Sequence, residues 1–209
     1  MGRADLAKKL AFEVMRKKIK NCLVFVLSIG LLFLLGFYIY LRNGIDSVMT
    51  PAKQEKVFAS IQAAPALPES FYKQYEKINP NGLERGYTAS LLSRFLGKPK
   101  PCACETIYAH PGYFDAYNRF APPIFMYEAT RKVGGKKCLD FALQKVDFAN
   151  GAMGVTAASE QYFQKDLALL TDSEVLDLLL MMENPSYFNL LREKGRERLE
   201  QRKAALLLK

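Results

Sequence analysis

The chain has 209 residues, half of them hydrophobic and 12% aromatic with no Trp, which leaves room for one modest globular domain and little else. Its formal net charge is +9, but residues 1–41 hold seven basic side chains against Asp5 and Glu13, so more than half of the excess lies in the first fifth of the sequence. A nucleic-acid-binding domain needs that charge as a patch on the folded part, so no nucleic-acid partner is expected. The first predicted element is ADLAKKLAFEVMRKKIK, within residues 1–21, where Leu6, Leu10 and Val14 recur at helical spacing with Lys17 and Lys18 close behind. It reads as a basic amphipathic helix suited to an anionic inner leaflet, or equally as a plain cytoplasmic extension. Cys22–Leu41 is an uncharged run of 20 residues. At the helical rise it spans about 30 Å, the hydrocarbon thickness of a bilayer. Phe37, Tyr38 and Tyr40 stand at its C-terminal end, where aromatic rings favour the lipid interface. Arg16, Lys17, Lys18 and Lys20 precede the run and only Arg42 follows closely, so the positive-inside rule leaves the N-terminus in the cytoplasm and residues 42–209 outside. A cleaved signal peptide would have a shorter apolar core and small residues at its cleavage site, so the run is expected to be an uncleaved signal anchor. Ser28, Gly30 and Gly36 lack GxxxG spacing, and helix pairing in the membrane is not signalled.

Residues 42–66 read as a juxtamembrane connector, a short helix at KQEKVFASI followed by a turn at AAPA. The body is expected over residues 67–209. Helical patterns at LPESFYKQYEKI and LERGYTASLLSRFL are separated by NPNG, with Glu69 and Ser70 favouring a start and Gly97 and Pro99 a stop. Residues 98–123 are loop-rich. Helix returns at IFMYEATRK, stops at Gly134–Gly135 and resumes at KKCLDFALQKVDF. Thr171-Asp-Ser-Glu174 is a capping box, in which the hydroxyl and the carboxylate each satisfy an orphan amide of the other residue. The helix it opens, SEVLDLLLMME, is apolar nearly all round and therefore buried, and it ends before Pro185. The last pattern, REKGRERLEQRKAALLLK, mixes both signs of charge like a solvated face. No stretch alternates as a strand does, and the fold class is all-α.

Of the four cysteines, Cys22 lies in the membrane run. In an oxidising compartment Cys138 can pair with Cys102 or Cys104, leaving one thiol over. Cys102, Cys104 and His110, the single histidine, could offer metal ligands, but C-x-C lacks the usual C-x2-C spacing and no fourth ligand is in view. No metal and no cofactor are expected.

A set of residues from Phe141 to Leu208 resembles a known family. They are Phe148-Ala-Asn150-Gly151-Ala-Met-Gly154-Val155, Ala157-Ala158, Tyr162-Phe163, Lys165, Leu170-Thr171 with Glu174, Asn184-Pro185-Ser186-Tyr187, and Arg198 and Arg202. Their order and spacing resemble the family 51 glycosyltransferase domain of bacterial cell-wall synthases, which reads like FGNGxYGVxxAAxxYFxK, LTxxEAAxLA, a Pro–Tyr turn and an Arg-bearing helix. The resemblance implies a lysozyme-like body on a membrane anchor, in the bacterial inner membrane with its C-terminal domain periplasmic. Taken alone, the same residues describe packing: a bend at Gly151 and Gly154, close helix contact at Ala157 and Ala158, and an aromatic anchor at Tyr162 and Phe163.

The family's general base is a Glu in a Glu-Asp pair, and matching LPESFYKQYEKINP to that run puts the pair on Asn79–Pro80. An amide does not take up a proton as a carboxylate does. The family's second motif falls near ACETIYAH, where only Thr106–Ile107 match, and its second Glu falls near NRFAPP, which has no carboxylate. Lys136, Leu139 and Asp140 keep part of a third motif, with Gln144 standing for Asn. Glu76, Glu84 and Glu105 lie near the vacated positions as candidate substitutes, and Glu128 precedes Arg131 and Lys132. Arg131, Lys132 and Lys136 are the candidate substrate-binding residues. The expectation is a catalytically inactive, membrane-anchored relative of a peptidoglycan glycosyltransferase, acting as a binding or scaffolding subunit. Its partners would be the bilayer, peptidoglycan or lipid II, and a membrane protein. The alternatives are a divergent active enzyme, with one of those carboxylates facing a cleft that also holds Arg131, Lys132 or Lys136, and a structural subunit of an envelope complex.

Overall fold

Arg3–Asn43 contains no proline, and all 41 residues form one helix, α1. The computed structural model describes residues 3–107 and 111–207 and divides the chain into two units, Met1–Gly44 and Ile45–Lys209. Within the first unit, Met15–Asn43 is long and apolar enough to cross a membrane. Its Leu23, Phe25, Leu31 and Phe33 side chains are exposed within the protein, as lipid-facing residues must be. Ser28 donates its hydroxyl to the Val24 carbonyl at 2.8 Å, so this polar group needs no partner from the lipid. Nothing interrupts the backbone between the basic segment and the apolar run, so the two expected elements are one helix. The face predicted from Leu6, Leu10 and Val14 lies outside the described side chains.

The regular elements of the second unit are all helices among its described residues, apart from an isolated bridge between Asp147 and Met153. It begins with α2 (Ile45–Val48) and α3 (Pro51–Gln62), where Thr50 is the extended N-cap and Pro51 sits at the first helical position. Val57, Phe58 and Ile61 of α3 are buried, and Phe58 stacks on Phe125 of α6 (Ala121–Lys132) at 5.7 Å. The segment read as a connector therefore packs within the body. Its apolar residues recur at helical spacing and find a surface to cover.

The core forms around α9 (Asp172–Glu183). Val175, Leu178, Leu179, Leu180 and Met181 are all buried, each worth about 1.5–3 kcal/mol against exposure. Phe71 and Tyr75 of α4 (Glu69–Ile78), Leu139 and Leu143 of α7 (Gly134–Lys145), and Val155 and Ala158 of α8 (Gly154–Phe163) complete that core. Phe148 joins it from the α7–α8 loop and Leu199 from α10 (Glu193–Leu207). The capping box forms as expected: Thr171 Oγ1 accepts from the Glu174 amide at 3.3 Å, and Glu174 Oε2 accepts from the Thr171 amide at 2.8 Å. Gly134, at φ +80°, turns the chain from α6 into α7 within one residue of Val133.

The remaining part is less regular. α5 (Tyr87–Phe95) is followed by two short 3-10 turns, Ala103–Thr106 and Pro111–Tyr113. A disulfide joins Cys104 to Cys138 across 34 positions and fastens the first of these turns to α7. Of the two pairings open from sequence, this one leaves Cys102 as the buried free thiol.

Candidate functional site

At Asn79 the chain leaves α4, and the side chain is occupied in full. Its Nδ2 donates to the Tyr75 hydroxyl at 3.2 Å and to the Pro101 carbonyl at 2.7 Å. Its Oδ1 accepts from Arg85 Nη1 at 3.1 Å, and the same guanidinium donates to Pro101 O at 2.9 Å and to Pro80 O. The residue is 8% exposed. A buried amide that spends both donors and its acceptor on three partners is a clasp, and its bond to Pro101 ties residues 22 positions apart. Burial pushes the neighbouring Tyr75 phenol up to about 12, so it stays neutral at physiological pH.

The three substitute carboxylates divide into two struts and one free group. Glu76 Oε2 accepts from the Asn81 amide at 2.5 Å and Oε1 from the Leu83 amide at 2.9 Å, closing the turn that follows α4. Asn81 takes a left-handed φ of 59° in that turn, which Asn tolerates better than most residues. Glu105 is paired with Arg94 and accepts from the Ser90 hydroxyl and, at 3.1 Å, from the Cys102 amide. Glu84 is exposed, and among the described residues no partner holds it.

Glu76 and Glu84 both line an open groove of about 710 Å³, bounded by α4, the 81–84 turn and the first turn of α7. Tyr72, Lys73, Lys136 and Lys137 line it too. Gly135 brings the walls together, because any Cβ there would collide with the backbone of Leu83. Lys136 lies 4.6 Å over the Tyr72 ring and 3.6 Å from Glu69. Lys137 donates to the Ala64 carbonyl at 2.8 Å. Behind the wall, the Tyr72 hydroxyl donates to buried Asp140 at 2.6 Å, and burial together with this bond holds the phenol far above its ordinary range. Asp140 carried only a weak signal in the sequence, as one matched letter of a motif; its partner lies 68 positions away.

The three predicted substrate-binding cations are not brought to one place. Only Lys136 faces this groove. Arg131 forks onto Glu128, which is fully buried, at 2.8 and 3.3 Å, and Lys132 stands 3.9 Å from the same carboxylate. Lys132 also lies over the Phe58 ring and lines a second groove between α3 and α6 with Gln54. Their charges neutralise a buried acid, a task that fixes them in place. Among the described residues no group of three or more His, Cys, Asp or Glu side chains stands together as a metal site. Cys104 is committed to its disulfide, and His110 lies outside the described residues.

The stretch FANGAMG is a packing knot. Ala149, Asn150 and Gly151 take left-handed φ in succession, at 66°, 54° and 87°. Phe148 donates its amide to Ala152 O at 2.9 Å, and the Tyr162 hydroxyl donates to Phe148 O at 2.7 Å. Asn150 Nδ2 donates to the Tyr162 hydroxyl at 3.0 Å and to Asn189 Oδ1 at 3.2 Å. At Gly154 a Cβ would stand 2.9 Å from Gln144 O, too close for any other residue. Lys165 pairs with Glu174 at 2.7 Å, and Arg198 covers the Tyr187 ring at 4.1 Å.

Residues 123–209 match the family model of the transglycosylases. A search of curated proteins finds no match to the chain. The matched segment begins after Asn79, Glu76, Glu84 and Glu105, so it holds most of the core, the knot and Lys136 but none of the candidate bases.

Proposed function

Taking residues 123–209 as a transglycosylase domain, we propose that the protein is a membrane-anchored, peptidoglycan-glycosyltransferase-like subunit that binds the glycan precursor without polymerising it. The observation that carries this reading is Asn79, a neutral amide locked by three partners where the resemblance puts the general base. The best-placed carboxylates, Glu76 and Glu105, are spent on backbone amides and on Arg94. The body lies on the periplasmic face of the inner membrane. The basic flank of α1 supports that orientation, and the Cys104–Cys138 bond supports an oxidising compartment. The groove with Lys136 is the binding surface, its ammonium available to a diphosphate and Glu84 to sugar hydroxyls. The test is equilibrium binding of lipid II to the full-length chain in nanodiscs. Lys136→Glu is expected to weaken binding about tenfold, the effect of reversing one charge at a phosphate contact. Equal affinity of the two proteins would remove the groove from the account.

One observation favours a second reading, an active enzyme of divergent layout. Glu84 has no partner among the described residues and shares the groove with Lys136, a carboxylate and a cation on one surface. That reading requires glycan polymer from lipid II that vanishes in Glu84→Gln.

A further inference from the structure

α5 lies on the body with its polar side inward. Tyr87 and Ser90 are buried, the Ser90 hydroxyl and Arg94 both engage Glu105, and Glu105 in turn accepts from the Cys102 amide at 3.1 Å. The opposite side is apolar and faces solvent. Leu92 is 59% exposed, Phe95 81% and Leu96 71%, and the exposed Thr88 and Ala89 continue the same stripe at helical spacing. Turning the helix over to bury that stripe would break the Glu105 bonds. The stripe therefore stays outside, and within one chain its apolar surface goes uncovered.

The ends of the stripe carry opposite charge. Gly97, at φ +70°, closes the helix, and the chain folds back so that the Lys98 amide donates to Ser93 O at 3.1 Å and the Lys100 amide to Ser93 Oγ at 2.8 Å. Both lysines are left exposed beside the C-terminal end, and among the described residues neither ammonium has a partner. At the other end stands Glu84, three residues before α5 and equally exposed. Size is graded in the same direction: Thr88 and Ala89 are small and lie toward the acidic end, Phe95 and Leu96 are large and lie toward the basic one. Such a stripe is complementary to its own reverse. A twofold axis through Leu92 sets each position against the one equally far on its other side. Leu96 then meets Thr88, Phe95 meets Ala89, and Lys98 and Lys100 come to the end that holds Glu84. A parallel copy would set Phe95 on Phe95 and lysine on lysine.

We propose that the α5 stripe is a contact between two copies of this chain, antiparallel, with Leu92 at the axis and Lys98 and Lys100 of each copy beside Glu84 of the other. One helix face is a modest area, so the contact suits chains already concentrated in a shared membrane by α1. Glu84 also lines the groove, so the pair would bring the other copy's lysines to its rim. That consequence rests on the groove being the binding surface; the pairing does not.

The test is site-directed crosslinking of the full-length chain in phospholipid vesicles. Cys22→Ser removes the exposed free thiol, and Leu92→Cys is added to it. Leu169→Cys, at a residue 67% exposed on the 3-10 turn Leu167–Leu169, is the control. Under copper phenanthroline, Leu92→Cys is expected to give disulfide-linked dimer while the control stays monomeric. Glu84→Lys in the Leu92→Cys background is expected to lower the dimer about tenfold, since both attractive ends become repulsive. Adding Lys98→Glu and Lys100→Glu to that variant is expected to restore it, which no loss of folding would do. Dimer formation that ignores these charges, or that only matches the control, overturns the pairing. The chain has no Trp, so Phe95→Trp reports a rival occupant. Quenching by acyl-brominated lipid, with no dimer from Leu92→Cys, gives the stripe to the bilayer and overturns the pair. No lipid II is present, so failure here leaves the reading of the groove standing.

Discussion

The body before residue 123 and the body after it share one apolar core but differ in what else holds them. In the later part α9 packs with α7, α8 and α10, and α4 of the earlier part covers it with Phe71 and Tyr75; the knot at 147–154 and the Lys203–Asp177 pair are among its polar inserts. Beyond its share of that core, the earlier part is held by polar clasps: Asn79 and Arg85 on Pro101, Glu76 on the 81–83 turn, Glu105 on Ser90, Arg94 and Cys102, and one disulfide. The family match covers the later part alone. A packed core specifies architecture whatever chemistry is mounted on it, whereas of the candidate substitute carboxylates Glu76 and Glu105 hold backbone amides and Glu84 has no partner among the described residues.

Substitutions in the two parts should therefore differ in kind. The largest effect is expected from Phe148→Ala, which empties a fully buried site at the centre of the later part and should cost about 3–5 kcal/mol in denaturant unfolding of the full-length chain. Next comes the disulfide. Reducing Cys104–Cys138, or replacing both cysteines by Ser, frees a loop of 34 residues and should cost about 3–4 kcal/mol. Proteolysis should then begin between residues 98 and 107 and leave the later part intact. Cys102 should resist alkylation until that happens, since burial raises its pKa and hides it. Asn79→Ala should cost about 1–3 kcal/mol, because it leaves Pro101 O and Arg85 short of partners. An Asn79 variant that loses lipid II binding at unchanged stability would give the residue a role beyond the clasp.

The smallest effect belongs to the α9 cap. Thr171→Ala should cost about 1 kcal/mol. Its partner Glu174 is held below the usual carboxylate range, chiefly by Lys165 and then by the Thr171 amide. The folded state therefore binds a proton at this site less readily than the unfolded chain. Its contribution is complete above the ordinary carboxylate range and fades as pH falls through the lowered folded value. Glu174→Gln should flatten that acid limb in a pH series of unfolding midpoints.

Much of this organisation could be read from the residues. The apolar run, the capping box, the nearly all-apolar α9 and the two helices on either side of Gly134 follow from local periodicity and end signals, which a single sequence contains. The disulfide partner, the Asn79–Pro101 clasp and the Tyr72–Asp140 bond could not, because each joins residues 22 to 68 positions apart. The same holds for the groove: Glu84 and Lys136 meet only because Gly135 lets α7 approach Leu83. Glu76 was legible as a carboxylate near the expected base, but its role as a turn-closer depended on a left-handed Asn81 that nothing in the sequence required.

The most direct measurement is the glycan product formed from labelled lipid II by the purified full-length chain, run beside Glu84→Gln. The account predicts bound but unpolymerised lipid II for both proteins. Glycan chains made by the wild-type protein and absent with Glu84→Gln would contradict it and establish Glu84 as the working base.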